Sequence, residues 1–169
     1  MLYTEEGLAL RARRKKRHRS AATRVRRPLP GAVQLEWAMD FMHDALGNGE
    51  LLRVLTVIDL ASGECVALVA ASSFAGTDVA EWLGLAGRER GGLPTKIRCD
   101  NGTEFTSKAM DHWAYWNKVE LDFSRPGKPG DNAYAEAFNG TFRRECLSAH
   151  YFTSVAEAQL VFDTWREDY

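Results

Sequence analysis

The sequence is poor in cysteine and proline and has no long apolar run. Its three cysteines, Cys65, Cys99 and Cys146, are widely separated, and no two form a C-x-x-C pair. This excludes a disulfide framework and the usual zinc signatures, and points to a reducing, cytoplasmic compartment. No stretch of 18 apolar residues is present, which argues against a spanning helix. No apolar segment precedes a small-residue cleavage site near the N-terminus, so a secretory signal is excluded too. There is no internal repeat. What remains is 169 residues, 45% hydrophobic and 27% charged, the composition of one ordinary globular domain.

Acidic residues are scarce at one end. Residues 1–30 hold 10 Lys+Arg against 2 Asp+Glu, whereas residues 31–169 hold 12 against 21. The formal net charge of −1 therefore hides a basic arm of +8 and a remainder of −9. The arm is concentrated in Arg11-Ala-Arg13-Arg14-Lys15-Lys16-Arg17-His-Arg19. Such a run repels itself and attracts a polyanion. With each of its ten cations on one DNA phosphate, binding would fall with salt at a slope of about −9.

Along the chain, residues 5–19 read as a short helix, and Pro28 and Pro30 mark the linker that ends it. Three strands follow: Leu35–Met39 running into Asp40, then 51–60 and 65–70. Turn signals at Gly47-Asn-Gly49 and Ser62-Gly63 make them a meander. A helix over 77–88 is opened by the cap candidates Thr77 and Asp78. Short strands at 96–99 and 119–123 flank a second helix over 107–118. Residues 124–131 form a mobile loop. Helices at 132–147 and 154–168 complete the chain, the last with a capping-box signature at Ser154 and Glu157. The order β-β-β-α-β-α-β-α-α predicts a mixed sheet with helices on its faces.

Three acids fall at element boundaries: Asp40 after the first strand, Asp100 ending the fourth, and Glu136 in the first turns of the third helix. In that helix Tyr134, Phe138 and Phe142 recur every four residues and seek a core. Glu136 points away from them and shares its face with Asn132, Asn139, Gly140 and Arg143. Each acid alone reads as a turn or surface residue. Together, two or three carboxylates on rigid elements suit a hard divalent cation, and two such ions suit phosphoryl transfer.

Between Asp40 and Asp100 lie 59 residues, and between Asp100 and Glu136 lie 35. The flanking contexts are Trp37-Ala-Met-Asp40-Phe41, Cys99-Asp100-Asn-Gly-Thr-Glu-Phe105 and Asp131-Asn-Ala-Tyr-Ala-Glu136-Ala-Phe-Asn139. Over residues 31–169 this arrangement resembles the retroviral-integrase-like catalytic core of bacterial insertion-sequence transposases. The resemblance implies an RNase-H-like α/β fold, a five-stranded mixed sheet with helices on both faces. It implies that Asp40, Asp100 and Glu136 bind Mg²⁺ or Mn²⁺, as two ions, and cut DNA to free a 3′-hydroxyl that attacks a target phosphodiester. It also implies a homo-oligomer acting on double-stranded DNA. Arg143 and Lys128 are the implied backbone contacts, beside Arg13, Arg14, Lys15, Lys16 and Arg17 of the arm. The family usually adds a helix-turn-helix and a basic tail. Neither is legible here, so a fragment, or a separate end-recognition partner, is expected.

The other candidates read as structural. His43 and His112 lack partners at ligand spacing, Cys99 faces the core, and Asp59 starts a turn. Glu104 is a structural or surface acid, and the five tryptophans are core or packing residues. Two readings compete with the strand transferase: an RNase-H-like nuclease, and a DNA-binding regulator.

Overall fold

The computed structural model describes residues 28–125 and 129–169. The expected helix over 5–19 and the cations Arg13, Arg14, Lys15, Lys16, Arg17 and Lys128 lie outside them. Five strands form one sheet: β1 (Glu36–Ala45), β2 (Leu51–Asp59), β3 (Cys65–Ala71), β4 (Lys96–Cys99) and β5 (Glu120–Phe123). Four helices accompany them: α1 (Gly76–Glu89), α2 (Lys108–Asn117), α3 (Ala133–Glu145) and α4 (Val155–Asp168). The sheet order is β3-β2-β1-β4-β5. β1 to β3 pair antiparallel, and β4 and β5 add in parallel. The meander closes through turns in which Gly49 and Gly63 adopt φ of 85° and 79°, a region open to glycine.

β1 is longer than its sequence suggests. Asp40 lies inside it, paired with Thr56 of β2, rather than after it. Polar residues at 40, 43 and 44 break the apolar alternation, but ladder hydrogen bonds to β2 carry the strand through to Ala45. Two other expectations need correction. The α1 cap is Ala75, not Thr77: Asp78, one turn in, accepts from the Ala75 N–H at 2.7 Å. In α4 the Ser154 hydroxyl accepts from Glu157 N at 3.1 Å as expected, but the Glu157 carboxylate reaches past the cap to Thr153 N and Oγ1.

Side-chain alternation divides the core. Leu52, Val54, Ile58, Ala38 and Met42 face α3 and α4, while Trp37, Met39, Leu55 and Val57 face α1 and α2. The aromatic stripe of α3 fills the first layer. Phe142 is fully buried, with ring centroids 5.0 Å from Phe162 and 4.9 Å from Trp165. Phe142→Ala is expected to cost about 3–5 kcal/mol in a urea titration. Near-wild-type stability would show that α3 is not held by this stripe.

α4 also guards the outer edge of β3. The Gln159 amide accepts from Ala70 N at 2.7 Å and donates to Leu68 O at 3.0 Å, pairing backbone groups that an edge strand leaves open. Arg98 of β4 binds Glu36 of β1 and donates to the Pro28 carbonyl at 2.9 Å. Not every tryptophan is packed: Trp37 is buried, but Trp116 near the end of α2 is 80% exposed. It follows the buried Ala114 by two residues, about 200° around the helix axis, and so turns away from the sheet.

Candidate active site

The parallel register of β1 and β4 pairs Trp37 with Ile97 and Ala38 with Arg98. Two residues further along β1, on the same face as Ala38, comes Asp40. The sheet thus carries Asp40 on its α3 side, and Asp100 immediately follows the end of β4. α3 approaches that side through Asn139, whose Nδ2 donates to Asp40 Oδ2 at 2.9 Å. Glu136 lies three residues before Asn139 and is exposed, in the first turn of α3. Asp100 is exposed and Asp40 half-buried.

The electrostatics report the same convergence. Asp40 is pushed up to about 6. Burial is the largest cause, and the charges of Asp100 and Glu136 add to it. Hydrogen bonds from Phe41 N, at 2.8 Å to Oδ1, and from Asn139 act in the opposite direction. Asp100 and Glu136 are therefore each near enough to Asp40 to repel its charge. The three acids are not drawn tightly together: among the described residues no group of three or more His, Cys, Asp or Glu is gathered closely enough to hold a metal ion. Mutual repulsion keeps carboxylates apart when no cation lies between them.

The donor set nevertheless suits a hard cation. All three groups are carboxylates, and each Asp40 oxygen accepts one protein hydrogen bond here, leaving further lone pairs. Burial pushes the Cys65 and Cys99 thiols up to about 12 and Cys146 up to about 11. Cys99 faces the core as expected. His43 and His112 are exposed. Asp59 caps its turn, accepting from Ala61 N at 2.9 Å and Ser62 N at 3.0 Å.

Asn139 and Thr56 brace Asp40. The Thr56 hydroxyl lies 2.9 Å from Asn139 Oδ1 and 3.2 Å from the Asp40 carbonyl, and can donate to either. Asn139 shares the Glu136 face in the sequence pattern, so its place was legible. Thr56 was missed. Its signal was a lone hydroxyl in the otherwise apolar α3-facing row Leu52, Val54, Thr56, Ile58 of β2. Asn139→Leu is expected to lower stability by about 1–3 kcal/mol, because a buried network loses a partner. A change below about 0.5 kcal/mol in chemical denaturation would show the brace to be idle.

Arg143 lies two turns after Glu136 on α3. Its Nη2 donates to the His43 carbonyl at 2.9 Å and its Nη1 lies 3.8 Å from Asp44, beside the far end of β1. The loop before α3 is tied where it is described: Arg125 donates from Nε and Nη2 to Asp131 at 2.9 and 2.8 Å. Its two described ends are therefore fixed to each other by charge pairing, which the glycine- and proline-rich sequence did not show. A cavity of about 750 Å³ between α1 and α2, lined by Gly84, Gly87, Leu93 and Trp113, contains none of the three acids. They lie at an open sheet surface instead.

Two models of the integrase core domain match the chain, one over residues 32–129 and the other over 117–169. The chain belongs to the integrase core domain family. The family places it in the polynucleotidyl transferase superfamily. Among its relatives, an uncharacterized 31.7 kDa protein of insertion element IS407 from Burkholderia multivorans is 48% identical over 99% of this chain and 60% of its own length. An uncharacterized 39.2 kDa protein of insertion element IS476 from Xanthomonas euvesicatoria is 40% identical over 99% of this chain and 48% of its own length. The chain thus spans about half to three-fifths of these curated relatives. A chain in the cryo-EM structure of a simian T-cell lymphotropic virus intasome, in complex with PP2A regulatory subunit B56 gamma, superposes with a TM-score of 0.64. It is 20% identical, covering 81% of this chain and 49% of that one. The integrase core here has the RNase-H-like fold. Among the described residues no helix is long and apolar enough to cross a membrane.

Proposed function

We propose that this integrase core is the strand-transferase module of an insertion-element transposase. It would cleave element ends in double-stranded DNA and join the freed 3′-hydroxyl to a target phosphodiester. The observation that carries this reading is geometric: the pairing of β1 with β4 brings Asp40 beside the strand that leads into Asp100, and Asn139, three residues after Glu136, donates to Asp40 at 2.9 Å, although 59 and 95 residues separate Asp100 and Glu136 from Asp40 in the chain.

Asp40, Asp100 and Glu136 would hold Mg²⁺ or Mn²⁺, as two ions. When bound, such ions supply charge stabilisation at phosphorus and acidify a bound oxygen nucleophile. The protein's own part is orientation. Phe41 N–H and the Asn139 amide fix the Asp40 carboxylate by one hydrogen bond to each oxygen, and Gly102 N–H holds Asp100 Oδ1 at 2.8 Å. In cleavage a water oxygen bonds to phosphorus and the 3′-oxygen leaves with a proton. In joining, that 3′-oxygen attacks the target phosphorus and displaces another 3′-oxygen. No bond to the protein forms in either step.

Arg143 is proposed to meet the DNA backbone beside Glu136. Lys128 and the arm residues Arg13, Arg14, Lys15, Lys16 and Arg17 are proposed to add phosphate contacts. A homo-oligomer is proposed to bring two ends together, with end recognition by a helix-turn-helix protein or domain. The test is an end-cleavage and strand-transfer assay on element-end DNA in Mg²⁺ and in Mn²⁺. Cleavage of RNA–DNA hybrid without joined product would favour a nuclease. DNA binding with no metal-dependent product would favour a regulator.

A further inference from the structure

Asp100 is exposed at the end of a short strand, and its carboxylate is oriented by a tight turn. Gly102 N–H donates to Asp100 Oδ1 at 2.8 Å, and the Gly102 carbonyl accepts from Phe105 N at 3.1 Å and Thr106 N at 3.0 Å. A side chain at Gly102 would place its Cβ 3.0 Å from Asp100 Oδ1 and 3.6 Å from Glu104 Oε2. The two carboxylates therefore flank the space that glycine leaves open at position 102. Glu104 is not a solvated acid: its side chain is 16% exposed, and Oε1 pairs with Nη1 of Arg53, itself 15% exposed.

Arg53 belongs to β2, on the α1 side of the sheet. Its guanidinium lies over the Phe41 ring, 4.3 Å from the centroid. Phe41 stacks in turn on Phe105, centroids 4.9 Å apart and 5° from parallel, and Phe105 is fully buried. Phe41 follows Asp40 in β1, and Phe105 closes the turn that begins at Asp100. One clamp on the α1 side of the sheet thus joins the strand that carries Asp40 on its α3 side to the turn that begins at Asp100. A planar guanidinium that lies over a ring while an N–H at its edge meets a carboxylate is a directional contact that an ammonium would not reproduce.

We propose that Arg53 and Glu104 are positioning residues that set the Asp100 carboxylate for cation binding through the Asp100–Phe105 turn. This rests on the cation-site reading above. Partners that orient a ligand rather than touch the ion commonly change metal affinity about tenfold or more when removed.

The test is Mn²⁺ titration of the whole chain, following the electron paramagnetic resonance signal of free aqueous Mn²⁺, with apo melting measured in parallel. Arg53→Gln and Glu104→Gln are each expected to weaken binding about tenfold, and the double variant no more than either single one. Glu120→Gln, which removes the surface pair between Glu120 of β5 and Lys96 of β4, should bind as wild type. A charge effect alone would move the two variants oppositely, Arg53→Gln tighter and Glu104→Gln weaker, and would overturn the proposal. Unchanged affinity with lowered melting would overturn it as well, leaving a structural pair. Arg53→Lys and Glu104→Asp keep the charges, so folding is preserved if the Gln variants fail; both should still weaken binding, and wild-type affinity in both would overturn the clamp. Asp100→Asn separates the layers. If it binds Mn²⁺ like wild type, the cation site itself is wrong; if it loses binding while the clamp variants do not, only the clamp is wrong.

Discussion

Asp100→Asn, Asp40→Asn and Glu136→Gln are each expected to lower end cleavage and joining by on the order of 10³-fold or more, with the fold retained. The proposed cation site has three carboxylates, and each substitution removes one formal charge while keeping shape. Asp100 and Glu136 are exposed, so their amides bury nothing new and melting should change little. Asp40 accepts from Phe41 N and Asn139 Nδ2. The amide that Asp40→Asn introduces can be accommodated if Asn139 turns over and donates to the Thr56 hydroxyl instead. The measurement is product formation on labelled element ends in Mg²⁺ and Mn²⁺, beside a melting curve for each variant. Activity within tenfold of wild type in any one of them would remove that acid from the site.

The same three substitutions should act differently on the metal-free chain. Asp40→Asn is expected to stabilise it in EDTA at pH 7.5 by about 1–2 kcal/mol, a few degrees in melting temperature. The sign follows from the raised carboxyl. Below about pH 4, Asp40 is protonated in both folded and unfolded chains and costs nothing. Between about 4 and 6 the unfolded chain ionises first, because the folded value is about 6, and stability falls as pH rises. Above 6 both forms are ionised and the full penalty of a half-buried, repelled carboxylate is present. The gain from Asp40→Asn should therefore appear as pH rises from 4 to 7 and be absent at pH 4. The figure is set below the roughly 3 kcal/mol of a two-unit shift, since solvent reaches part of the site. Melting of both proteins in EDTA across pH 4–8 decides it: an Asp40→Asn chain no more stable than wild type at pH 7.5 would mean that Asp40 feels neither burial nor its neighbours.

Much of the architecture was legible because local chemistry and tertiary packing agree. Ser107 caps α2 with its hydroxyl on Met110 N, and Lys118 ends that helix in a left-handed conformation, so its bounds follow from residues at its own termini. Phe138 and Phe142 fell on the buried stripe for the same reason. β1 was read too short because its second half alternates imperfectly. What extends it is pairing with β2, a partner that no window of local sequence contains. The Arg53–Glu104 pair was invisible for a related reason: its members are 51 positions apart in the chain, and each alone reads as a surface residue.

The order of strands and helices, the buried face of α3 and the candidacy of three widely spaced acids were written in the sequence, since periodicity and turn chemistry act between near neighbours. Only the tertiary structure decided that Asp40 sits mid-strand under the amide of Asn139, that it shares a field with Asp100 and Glu136, and that Arg53 clamps the turn leading from Asp100. These depend on strand register and on how α3 lies across the sheet. Both are set by burying whole faces at once, a collective balance that no single segment carries.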